Sequence, residues 1–346
     1  MNAPVKIDVL LATFQGEAYL EAQLDSILAQ TVPVRILISD DGSTDGTREL
    51  LEQYKMYYPD QIVLTHRVKE GRYEDRPSEV PAPAMNFFWL MSRTDADYIL
   101  LSDQDDVWDS LKVERLLERM KDIETQGCPV LVYSDMEVVD AGLNQVYPSF
   151  LAYERLDPGL TSFSHILVEN PVTGGALMMN RKLAQIAGQV PEACFMHDWW
   201  IALCASCFGV ISCVREPLSF YRQHGANVLG ARRTLDMEDL RTRPGRQKEV
   251  KSNYLRMFRQ AAAFGRQFHS GMSAGNRRVL RAFLDLPGQK PMRRLENILR
   301  YRFVKSLWVQ TLAQCVTIPQ LTGRRVGSVS LQSRKGEGSQ GWRQER

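Results

Sequence analysis

The sequence predicts an α/β fold in which a mostly parallel sheet is flanked by helices. Two observations lead to this prediction. Short β-rich runs alternate with helical patterns over the first hundred residues, and a cluster of carboxylates directly follows one of the strand-like runs. A β-α-β-α order gives parallel strands joined by right-handed crossovers, and such open sheets bind ligands at the carboxyl ends of their strands. The 346 residues suffice for one large α/β domain with an appendage, or for two medium domains.

Up to residue 102, predicted strands and helices follow one another regularly. Short runs rich in β-branched and apolar residues predict strands at 6–12, 34–39, 61–66 and 98–102. Apolar residues at helical spacing predict helices at 17–29, 44–54 and 84–94. Ser43 or Thr44 is the expected N-cap of the second helix. A loop rich in proline and charge, 71–83, leads into the third.

Beyond residue 110 the alternation is looser. We expect a charged helix at 111–126, a strand at 130–134, and a turn at Gly174-Gly175 that enters a further strand. If the acidic segment before the helix is a solvated turn, Asp109 is the predicted N-cap of the helix. The charge-free apolar stretch 199–214 is too short to span a membrane, so it predicts a buried helix followed by a strand. From about residue 231 onward only basic helical patterns remain.

Charge divides the chain into two unequal parts. Residues 1–230 hold 18 Lys and Arg against 33 Asp and Glu, whereas residues 231–346 hold 25 against 8. We therefore expect an acidic domain at 1–230, a basic helical extension at 231–325, and a disordered, Gly/Ser-rich tail at 326–346. The extension would meet something anionic, either nucleic acid or an anionic membrane surface. No recognition motif supports nucleic acid, which we do not expect as a partner.

The composition is that of an ordinary soluble globular protein, with 44% hydrophobic and 24% charged residues. No signal-peptide pattern is visible, because the first residues lead straight into a strand pattern. The six cysteines show no disulfide framework. Cys204 and Cys207 have the spacing of a redox motif, but their apolar surroundings favour buried thiols. A reducing compartment fits best.

The most informative segment is Asp103-Gln104-Asp105-Asp106, directly after the apolar run 98–101. Three carboxylates within four residues repel one another unless a cation lies among them. Mg²⁺ or Mn²⁺ carrying a phosphate is the usual cation in such a place. The alternative is a solvated, acidic turn before the helix at 111–126. Because the carboxylates follow a fully apolar strand, the metal site is the favoured interpretation.

A second polar segment, 40–46 (DDGSTDG), lies between a predicted strand and a predicted helix. A carboxylate at the end of a strand can accept the imide N–H of a uracil or thymine ring. The spacing of an EF-hand calcium loop is also met, by Asp41, Ser43, Asp45, Gly46 and Glu52. The calcium-loop alternative is weaker because a predicted strand precedes the segment, where an EF-hand has a helix, and the sequence contains no second EF-hand motif to pair with it. A plain turn with a helix cap is the third interpretation.

Two segments further along the chain carry other candidate groups. Asp198, which follows His197 and precedes two tryptophans, is either the cap of a buried helix or a general base. As a base, its pKa would be raised by the apolar wall beside it. In segment 221–227 (YRQHGAN), Arg222 and His224 are either ordinary loop residues or contacts to a diphosphate and its metal ion.

In order and spacing, six motifs resemble glycosyltransferase family 2, and especially its bacterial rhamnosyltransferase-like members. They are 10–17 (LLATFQGE), 40–45 (DDGSTD), Asn86-Phe87, 103–108 (DQDDVW), 197–200 (HDWW) and 221–227 (YRQHGAN). The resemblance covers about residues 5–230 and implies a Rossmann-like GT-A catalytic domain at 1–230. It also implies inverting transfer of a sugar from a nucleotide diphosphate, with Mg²⁺ or Mn²⁺ as cofactor. The long, acidic and proline-rich loop 67–85 departs from the family pattern and leaves the donor-sugar contacts open.

The resemblance further implies roles for individual residues. Asp198 matches the catalytic base. The nucleotide would be contacted by Thr13, Glu17, Asp41, Asn86 and Asp103. The metal ion would be held by Asp103 and Asp105, which match the Asp-x-Asp motif, and by His224. The acceptor side would be formed by Gly174, Gly175 and Trp199.

On these grounds we expect a glycosyltransferase that moves a sugar, with rhamnose favoured, from a dTDP- or UDP-linked donor. The acceptor would be a cell-surface polysaccharide such as an O-antigen, or a lipid-linked saccharide. One alternative is a UDP-glucose or UDP-galactose transferase of the same fold, and another is a nucleotide- and metal-binding module without turnover. The expected location is the cytoplasm, either free or peripheral on the inner membrane.

The segment 290–316 bears on attachment to a membrane. Apolar residues and the aromatic Trp308 alternate there with the basic residues Arg293, Arg294, Arg300, Arg302 and Lys305. Such a pattern is typical of a helix that lies on an anionic membrane surface. The same pattern also fits a helix whose apolar face packs on the catalytic domain while its charges are solvated. The sequence leaves both interpretations open.

Overall fold

The strand-forming runs assemble into one mixed sheet in the computed structural model, which describes residues 5–65, 79–224 and 246–318. Within these residues the strands are β1 (Ile7–Thr13), β2 (Arg35–Asp40), β3 (Ile62–Thr65), β4 (Tyr98–Ser102), β5 (Val107–Trp108), β6 (Val130–Val139), β7 (Gln145–Tyr147), β8 (Leu177–Asn180) and β9 (Val210–Arg222). Their order across the sheet is β3-β2-β1-β4-β8-β6-β9-β5, and β7 pairs with β6.

The four strands of the first hundred residues form parallel pairs, β1 with β2 and β4, and β2 with β3. The parallel arrangement predicted from the β-α-β-α order is therefore confirmed. Beyond them, β8 runs antiparallel between β4 and β6, while β9 is parallel to β6. Since β1, β2 and β4 all end at one edge of the sheet, the residues that follow each of them are neighbours in space.

Two strands and part of a third are absent from the sequence-based prediction. β5 and β7 have two and three residues, too few to show the period of a strand. β6 continues to Val139, beyond the predicted end at residue 134, and pairs with β9 across two register shifts. The local alternation of apolar and polar residues does not reveal such irregular pairing.

The helices of the described residues are α1 (Leu20–Leu28), α2 (Thr47–Tyr57), α3 (Ala82–Met91), α4 (Lys112–Ile123), α5 (Phe150–Tyr153), α6 (Phe163–Ile166), α7 (Arg181–Ala187), α8 (His197–Phe208), α9 (Arg246–Phe268), α10 (Ala274–Leu284), α11 (Pro291–Tyr301) and α12 (Trp308–Thr317). The helices predicted before residue 126 are confirmed, with ends shifted by a few residues. The buried helix and strand predicted at 199–214 are confirmed as α8 and the start of β9.

The two predicted N-caps are wrong. α2 begins at Thr47 after Gly46, and the Ser43 hydroxyl instead accepts the Gln15 N–H at 2.8 Å. α4 begins at Lys112, and the Asp109 carboxylate accepts the Leu111 N–H at 2.8 Å within the preceding turn. In both places the polar side chain organises the turn before the helix, so its position in the sequence is one turn too early for a cap.

Helices cover both faces of the sheet because successive strand residues point to opposite sides. Ile99 and Leu101 of β4 belong to the hydrophobic cluster that contains α3 and α8. Leu100, between them, belongs to the cluster that contains α1 and α4. This three-layer packing holds the strand ends rigidly at the edge described above.

The helices after residue 246 pack on the same face as α8. Phe264 of α9 lies against Trp200 of α8 with ring centroids 5.4 Å apart, and Ile298 of α11 belongs to the same buried cluster. The described part of the predicted extension is thus helical and shares a hydrophobic core with residues 1–230. Residues 231–245, the tail 326–346 and most of the predicted loop 71–83 lie outside the described residues. Among the described helices, none has the length and apolar character needed to cross a bilayer.

Candidate active site

The ends of β1, β2 and β4 meet at one edge of the sheet and bring three predicted site residues together. Thr13 at the end of β1 is in register with Asp40 at the end of β2. The Asp41 N–H donates to the Thr13 carbonyl at 2.8 Å. The buried Thr13 hydroxyl donates to the side chain of Gln104, next to Asp103, at 2.7 Å. Thr13, Asp41 and Asp103 therefore lie close together at one edge of the sheet, as the parallel order of the strands predicts.

Gln104 is a site residue that the sequence analysis missed. Its Oε1 accepts from both the Thr13 hydroxyl and the Phe14 N–H, and its Nε2 donates to the Phe14 carbonyl at 2.9 Å. A Cβ on Gly16 would lie 2.6 Å from the same Oε1, so a side chain there would displace the Gln104 amide. The amide thereby fixes the loop after β1 over the edge of the sheet. The sequence contained one sign of this role, because Gln104 is the uncharged residue within the acidic run 103–106.

The loop 14–17 is bound to the segment 40–46 by side chains. Gln15, in the left-handed region with φ of 53°, accepts the Thr44 N–H through Oε1 at 2.7 Å. The Gly16 N–H donates to the Thr47 hydroxyl at 2.8 Å. Glu17 accepts the Gly46 N–H at 3.0 Å, so its carboxylate lies at the N-terminus of α2, where the helix dipole favours it. Its contact to a nucleotide stays a prediction.

The calcium-loop alternative does not fit these contacts. Asp45 accepts the Thr47 hydroxyl and the Glu17 N–H, and the Ser43 hydroxyl donates to Asp40. Glu52 is exposed on α2. The side-chain oxygens of Ser43 and Asp45, two of the expected calcium ligands, thus accept hydrogen bonds from the protein's own donors. The segment 40–46 is a turn between β2 and α2 that is held in place by these hydrogen bonds.

Asn86 lies in α3, buried beneath the end of β2. Its Nδ2 donates to the Ser39 carbonyl at 3.1 Å, two residues before Asp41. Its Oδ1 is also buried and has no hydrogen-bond partner among the described residues. The structure places Asn86 next to the predicted nucleotide site, and direct contact with a nucleotide stays a prediction.

The carboxylates of the acidic cluster 103–106 are crowded, as predicted. Asp106 is buried, and Asp103 and Asp105 are half-buried. A Cβ on Gly175 would lie 2.9 Å from Asp106 Oδ2 and 3.4 Å from Asp103 Oδ2, so the Gly175 backbone closes one side of the cluster. Burial, together with the charges of Asp105 and Asp198, raises the pKa of Asp103 to about 7. Burial and the charges of Asp105 and Asp103 likewise hold the pKa of Asp106 well above its usual range. These carboxylates are ready to give up protons when a cation enters.

Lys112 is the second residue that the sequence analysis missed. Its fully buried ammonium donates to the Gly175 carbonyl and, at 2.7 Å, to the Ser219 hydroxyl. It also lies 3.7 Å from the centre of the Trp108 ring. Burial lowers the pKa of Lys112, and the charges of Asp106 and Asp103 act in the opposite direction. A signal existed, because Lys112 shares the buried stripe of α4 with Leu116 and Met120.

Asp198 lies in the first turn of α8 and is near enough to Asp103 for its charge to raise the Asp103 pKa. Burial raises the pKa of Asp198 itself to about 7, against the opposing effect of the Trp199 and Gly174 N–H groups. Of the two interpretations of Asp198, the helix cap is wrong, since α8 begins one residue earlier. A half-buried carboxylate whose pKa is near neutrality suits proton transfer.

The predicted acceptor residues surround Asp198. A Cβ on Gly174 would lie 2.6 Å from Nε2 of His197, whose buried ring packs on Phe87 with centroids 4.1 Å apart. Burial lowers the pKa of His197 to about 3, so this imidazole is neutral at physiological pH. Trp199 donates its indole N–H to the Ile166 carbonyl at 2.6 Å, which holds the ring in place beside Asp198.

Asp105 and His224 lie side by side, with His224 Nε2 2.9 Å from Asp105 Oδ2. The Arg222 Nε donates to the Asp105 carbonyl at 2.9 Å, and both His224 and Arg222 lie against the Tyr19 ring. A carboxylate and an imidazole form a donor set that fits Mg²⁺ or Mn²⁺. No three His, Cys, Asp or Glu residues converge on a cation site in the parts of the chain that the structure describes. Sites for Mg²⁺ commonly use one or two carboxylates and take their other ligands from substrate phosphates and water.

Within the predicted segment 221–227, Asn227 lies outside the described residues. The cysteines are as expected: all six are free, and Cys204 is fully buried in α8. The predicted redox spacing therefore corresponds to two thiols in a packed helix.

The sheet order, the acidic cluster after β4 and the carboxylate of α8 define an enzyme of the GT-A glycosyltransferase class. The profile of glycosyl transferase family 2 matches residues 8–185, and the chain belongs to this family. A structure of residues 1–349 of TarS from S. aureus superposes with a TM-score of 0.50 at 14% identity, covering 90% of this chain and 91% of that one. That likeness shows the fold, and it confirms the GT-A prediction.

Among the relatives that are similar in sequence are a rhamnosyl transferase and a glucosyltransferase. The dTDP-rhamnosyl transferase RfbG of Shigella flexneri is 29% identical over 231 residues, which is 64% of this chain and 74% of RfbG. The poly(ribitol-phosphate) beta-glucosyltransferase of Bacillus spizizenii is 26% identical over 156 residues, which is 40% of this chain and 23% of that protein. The predicted enzyme class, a glycosyltransferase, is thereby confirmed.

Proposed function

We propose that this protein transfers a sugar with inversion, using a divalent cation, from a nucleotide diphosphate donor to a saccharide. Rhamnose is the favoured sugar and dTDP the favoured nucleotide, with a cell-surface polysaccharide or a lipid-linked saccharide as acceptor. The observation that carries the proposal is that the half-buried Asp198 carboxylate lies near enough for its charge to act on Asp103, which follows β4 at the carboxyl edge of the sheet. Asp103 and Asp105 would hold the diphosphate with its cation, and Asp198 would activate the acceptor.

The nucleotide would lie over the ends of β1 and β2. Asp41, whose backbone N–H donates to the Thr13 carbonyl, would accept the imide N–H of a uracil or thymine base through its carboxylate. Thr13, Asn86 and Glu17 would complete the pocket, and Asp103 would contact the ribose or the diphosphate. Because uracil and thymine share the imide group, this contact accepts both UDP and dTDP. The preference for dTDP-rhamnose is supported by the likeness to RfbG.

The diphosphate and its cation would lie at Asp105, His224 and Asp103. A bound Mg²⁺ or Mn²⁺ neutralises the negative charge that develops on a departing nucleoside diphosphate. Asp105 and His224 are held ready by the Arg222 contact to the Asp105 carbonyl and by the Tyr19 ring. Arg222 is only 5% exposed, and its guanidinium also donates to the Ala141 carbonyl at 2.6 Å, which fixes its position.

Asp198 would remove the proton from the acceptor hydroxyl as that oxygen attacks the anomeric carbon. Its pKa of about 7 allows it to be ionised before the reaction and to hold a proton after it. Gly174 and Gly175, whose backbones lie against His197 and Asp106, would form the acceptor side, and Trp199 would stack against a sugar ring. One carboxylate suffices as base, in contrast to the pair that hydrolases need.

The cytoplasm is the location that fits this proposal. All six cysteines are free, as thiols remain in a reducing compartment.

A transferase that uses UDP-glucose or UDP-galactose is the second candidate. The poly(ribitol-phosphate) beta-glucosyltransferase matches this chain over 156 residues, and its name refers to transfer of glucose. A nucleotide-binding module without turnover is the third candidate. The half-buried Asp198, with its raised pKa, disfavours it, because binding alone does not need such a group.

The test is a donor panel scored by release of nucleoside diphosphate. We expect release from dTDP-rhamnose with Mn²⁺ present, much less from UDP-glucose and UDP-galactose, and none in excess EDTA. Restoring Mn²⁺ should restore the rate. Asp105→Asn should behave like the EDTA sample, whereas Glu52→Gln, which alters an exposed carboxylate on α2, should behave like the wild type.

Each part of the proposal can fail separately. Release that is undiminished in EDTA would remove the cation from the proposal. Release from UDP-glucose in preference to dTDP-rhamnose would select the second candidate. Binding of dTDP or UDP without release of nucleoside diphosphate from any donor would select the third candidate, the nucleotide-binding module without turnover.

A further inference from the structure

Helix α12 packs with its polar side inward and its apolar side outward. Trp308, Val309 and Leu312 share one face and are 71%, 38% and 49% exposed. On the opposite side, Thr311 and Gln314 are 8% and 1% exposed. A helix on the surface of a soluble protein normally has the reverse arrangement. The apolar face of α12 is therefore turned toward something other than the protein's own core.

Hydrogen bonds fix α12 in this orientation. The Thr311 hydroxyl accepts the Lys305 N–H at 2.9 Å, and Gln314 Nε2 donates to the Phe303 carbonyl at 3.1 Å. Burying Trp308 by rotation of the helix would break both bonds and expose partners that are now satisfied. The outward position of the tryptophan is thus a built feature of the fold.

Helix α11 also turns large apolar side chains outward, while Ile298 on its inner side packs in the hydrophobic core. Its buried side carries Arg294, 2% exposed, whose guanidinium donates to the carbonyls of Leu286 at 2.9 Å and Gln289 at 2.8 Å. Its outer side carries Met292 and Leu299, which are 79% and 61% exposed and lie seven residues apart on one face. Two consecutive helices therefore present large apolar side chains to the outside.

The charged residues around these apolar side chains indicate which kind of partner the surface binds. The apolar side chains are flanked by four exposed basic residues, which are Lys290, Arg293, Arg300 and Arg302. The exposed acidic residue on α11 is Glu296. Apolar side chains combined with Lys and Arg are the chemistry of a surface that binds anionic lipid headgroups. A second copy of this chain fits poorly, because a two-fold contact would place the same positive patch against itself.

The length of α12 limits how deeply the helix can enter a lipid bilayer. Its ten residues span about 15 Å, half of the ~30 Å hydrocarbon core, so it can lie on a bilayer and cannot cross one. We propose that α11 and α12 form a surface through which this protein lies on an anionic membrane. Trp308, Leu312, Met292 and Leu299 enter the headgroup region, and Arg293, Arg300 and Arg302 contact lipid phosphates. None of these residues belongs to the candidate active site, so the role of this surface does not depend on the donor or on turnover.

The experiment is co-sedimentation of the full chain with vesicles of phosphatidylcholine, with and without phosphatidylglycerol. We expect binding that requires phosphatidylglycerol and weakens with salt. The double variant Trp308→Glu, Leu312→Glu should lose roughly tenfold or more of this affinity. The matched control is Met56→Glu, which places the same charge at a 68% exposed apolar residue on α2 and should leave binding unchanged.

A second measurement locates the tryptophan. Vesicles with brominated acyl chains should quench the fluorescence of the wild type and quench the Trp308→Phe variant less, although both bind. Equal vesicle binding by the wild type and the double variant would overturn the proposal. A wild type that is dimeric in solution, with a monomeric double variant and no vesicle binding by either, would also overturn it and would assign the surface to a second copy.

Discussion

Replacing Asp198 with asparagine is expected to abolish sugar transfer while leaving the fold and donor binding intact. The amide cannot take a proton from the acceptor hydroxyl, and loss of a general base typically lowers the rate by 10²–10⁴, so we expect a loss of about 10³-fold in kcat. The shape of the site should persist, because an asparagine Oδ1 can accept the Trp199 N–H as the carboxylate does. The rate is measured as release of nucleoside diphosphate, and donor affinity by calorimetry.

The pH dependence provides an internal check on this role. Burial raises the pKa of Asp198 to about 7, and the base acts only when it is deprotonated, so kcat of the wild type should rise with pH up to about 7 and then level off. The residual rate of Asp198→Asn should lack this rise. The matched control is Asp122→Asn, an exposed carboxylate on α4 that should retain the wild-type rate and profile. Near-normal turnover in Asp198→Asn would place the base elsewhere in the cleft.

Replacing Lys112 with methionine is expected to lower the free energy of unfolding by about 3 kcal/mol. Methionine fills nearly the same volume, so the change removes chiefly the charge and its bonds. The Gly175 carbonyl and the Ser219 hydroxyl lose their donor, and Asp103 and Asp106 lose the cation that favours their ionised form. The measurement is urea unfolding with EDTA present, and Lys121→Met on the exposed side of α4 is the control.

The destabilisation of Lys112→Met should depend on pH in a definite direction. A carboxylate with a raised pKa binds more protons in the folded state than in the unfolded state, so its contribution to stability falls as pH rises. Without Lys112, the pKa values of Asp103 and Asp106 rise further, because its positive charge lowers both. The difference from the wild type should therefore be larger at about pH 8 than at about pH 5. Equal stability of the two proteins at both values would show that the buried ammonium does not stabilise the cluster.

Several residues of the site could be predicted because they contradict their local pattern. Asp103 and Asp105 directly follow an apolar strand, and Asp198 lies at the start of a helical stretch that is otherwise apolar. Burial of such groups has a high free-energy cost unless a ligand or partner compensates it, which makes them conspicuous in a sequence. Their positions at the edge of the sheet also follow from the β-α-β-α order, since parallel strands end on the same side.

Gln104 and Lys112 could not be assigned a place in the same way. A glutamine in an acidic turn and a lysine in a helix that also carries Glu114 and Arg115 are ordinary in composition. Their roles depend on which atoms the chain brings near them, such as the Phe14 backbone for Gln104 and the Gly175 carbonyl for Lys112. Such contacts join residues far apart along the chain, and local spacing carries no information about them.

The sequence by itself determined the parallel half of the sheet, the acidic edge after β4 and the likeness to family 2, because these depend on local alternation and on motifs in order. Only the tertiary structure decided that Asp198 lies near Asp103 and that Lys112 lies beneath the carboxylates. It also decided that α12 turns Trp308 outward, where the sequence had allowed either packing or exposure. The physical reason is the same in each case: long-range burial and hydrogen bonding, such as those of Thr311 and Gln314, select one orientation among those that the local pattern permits.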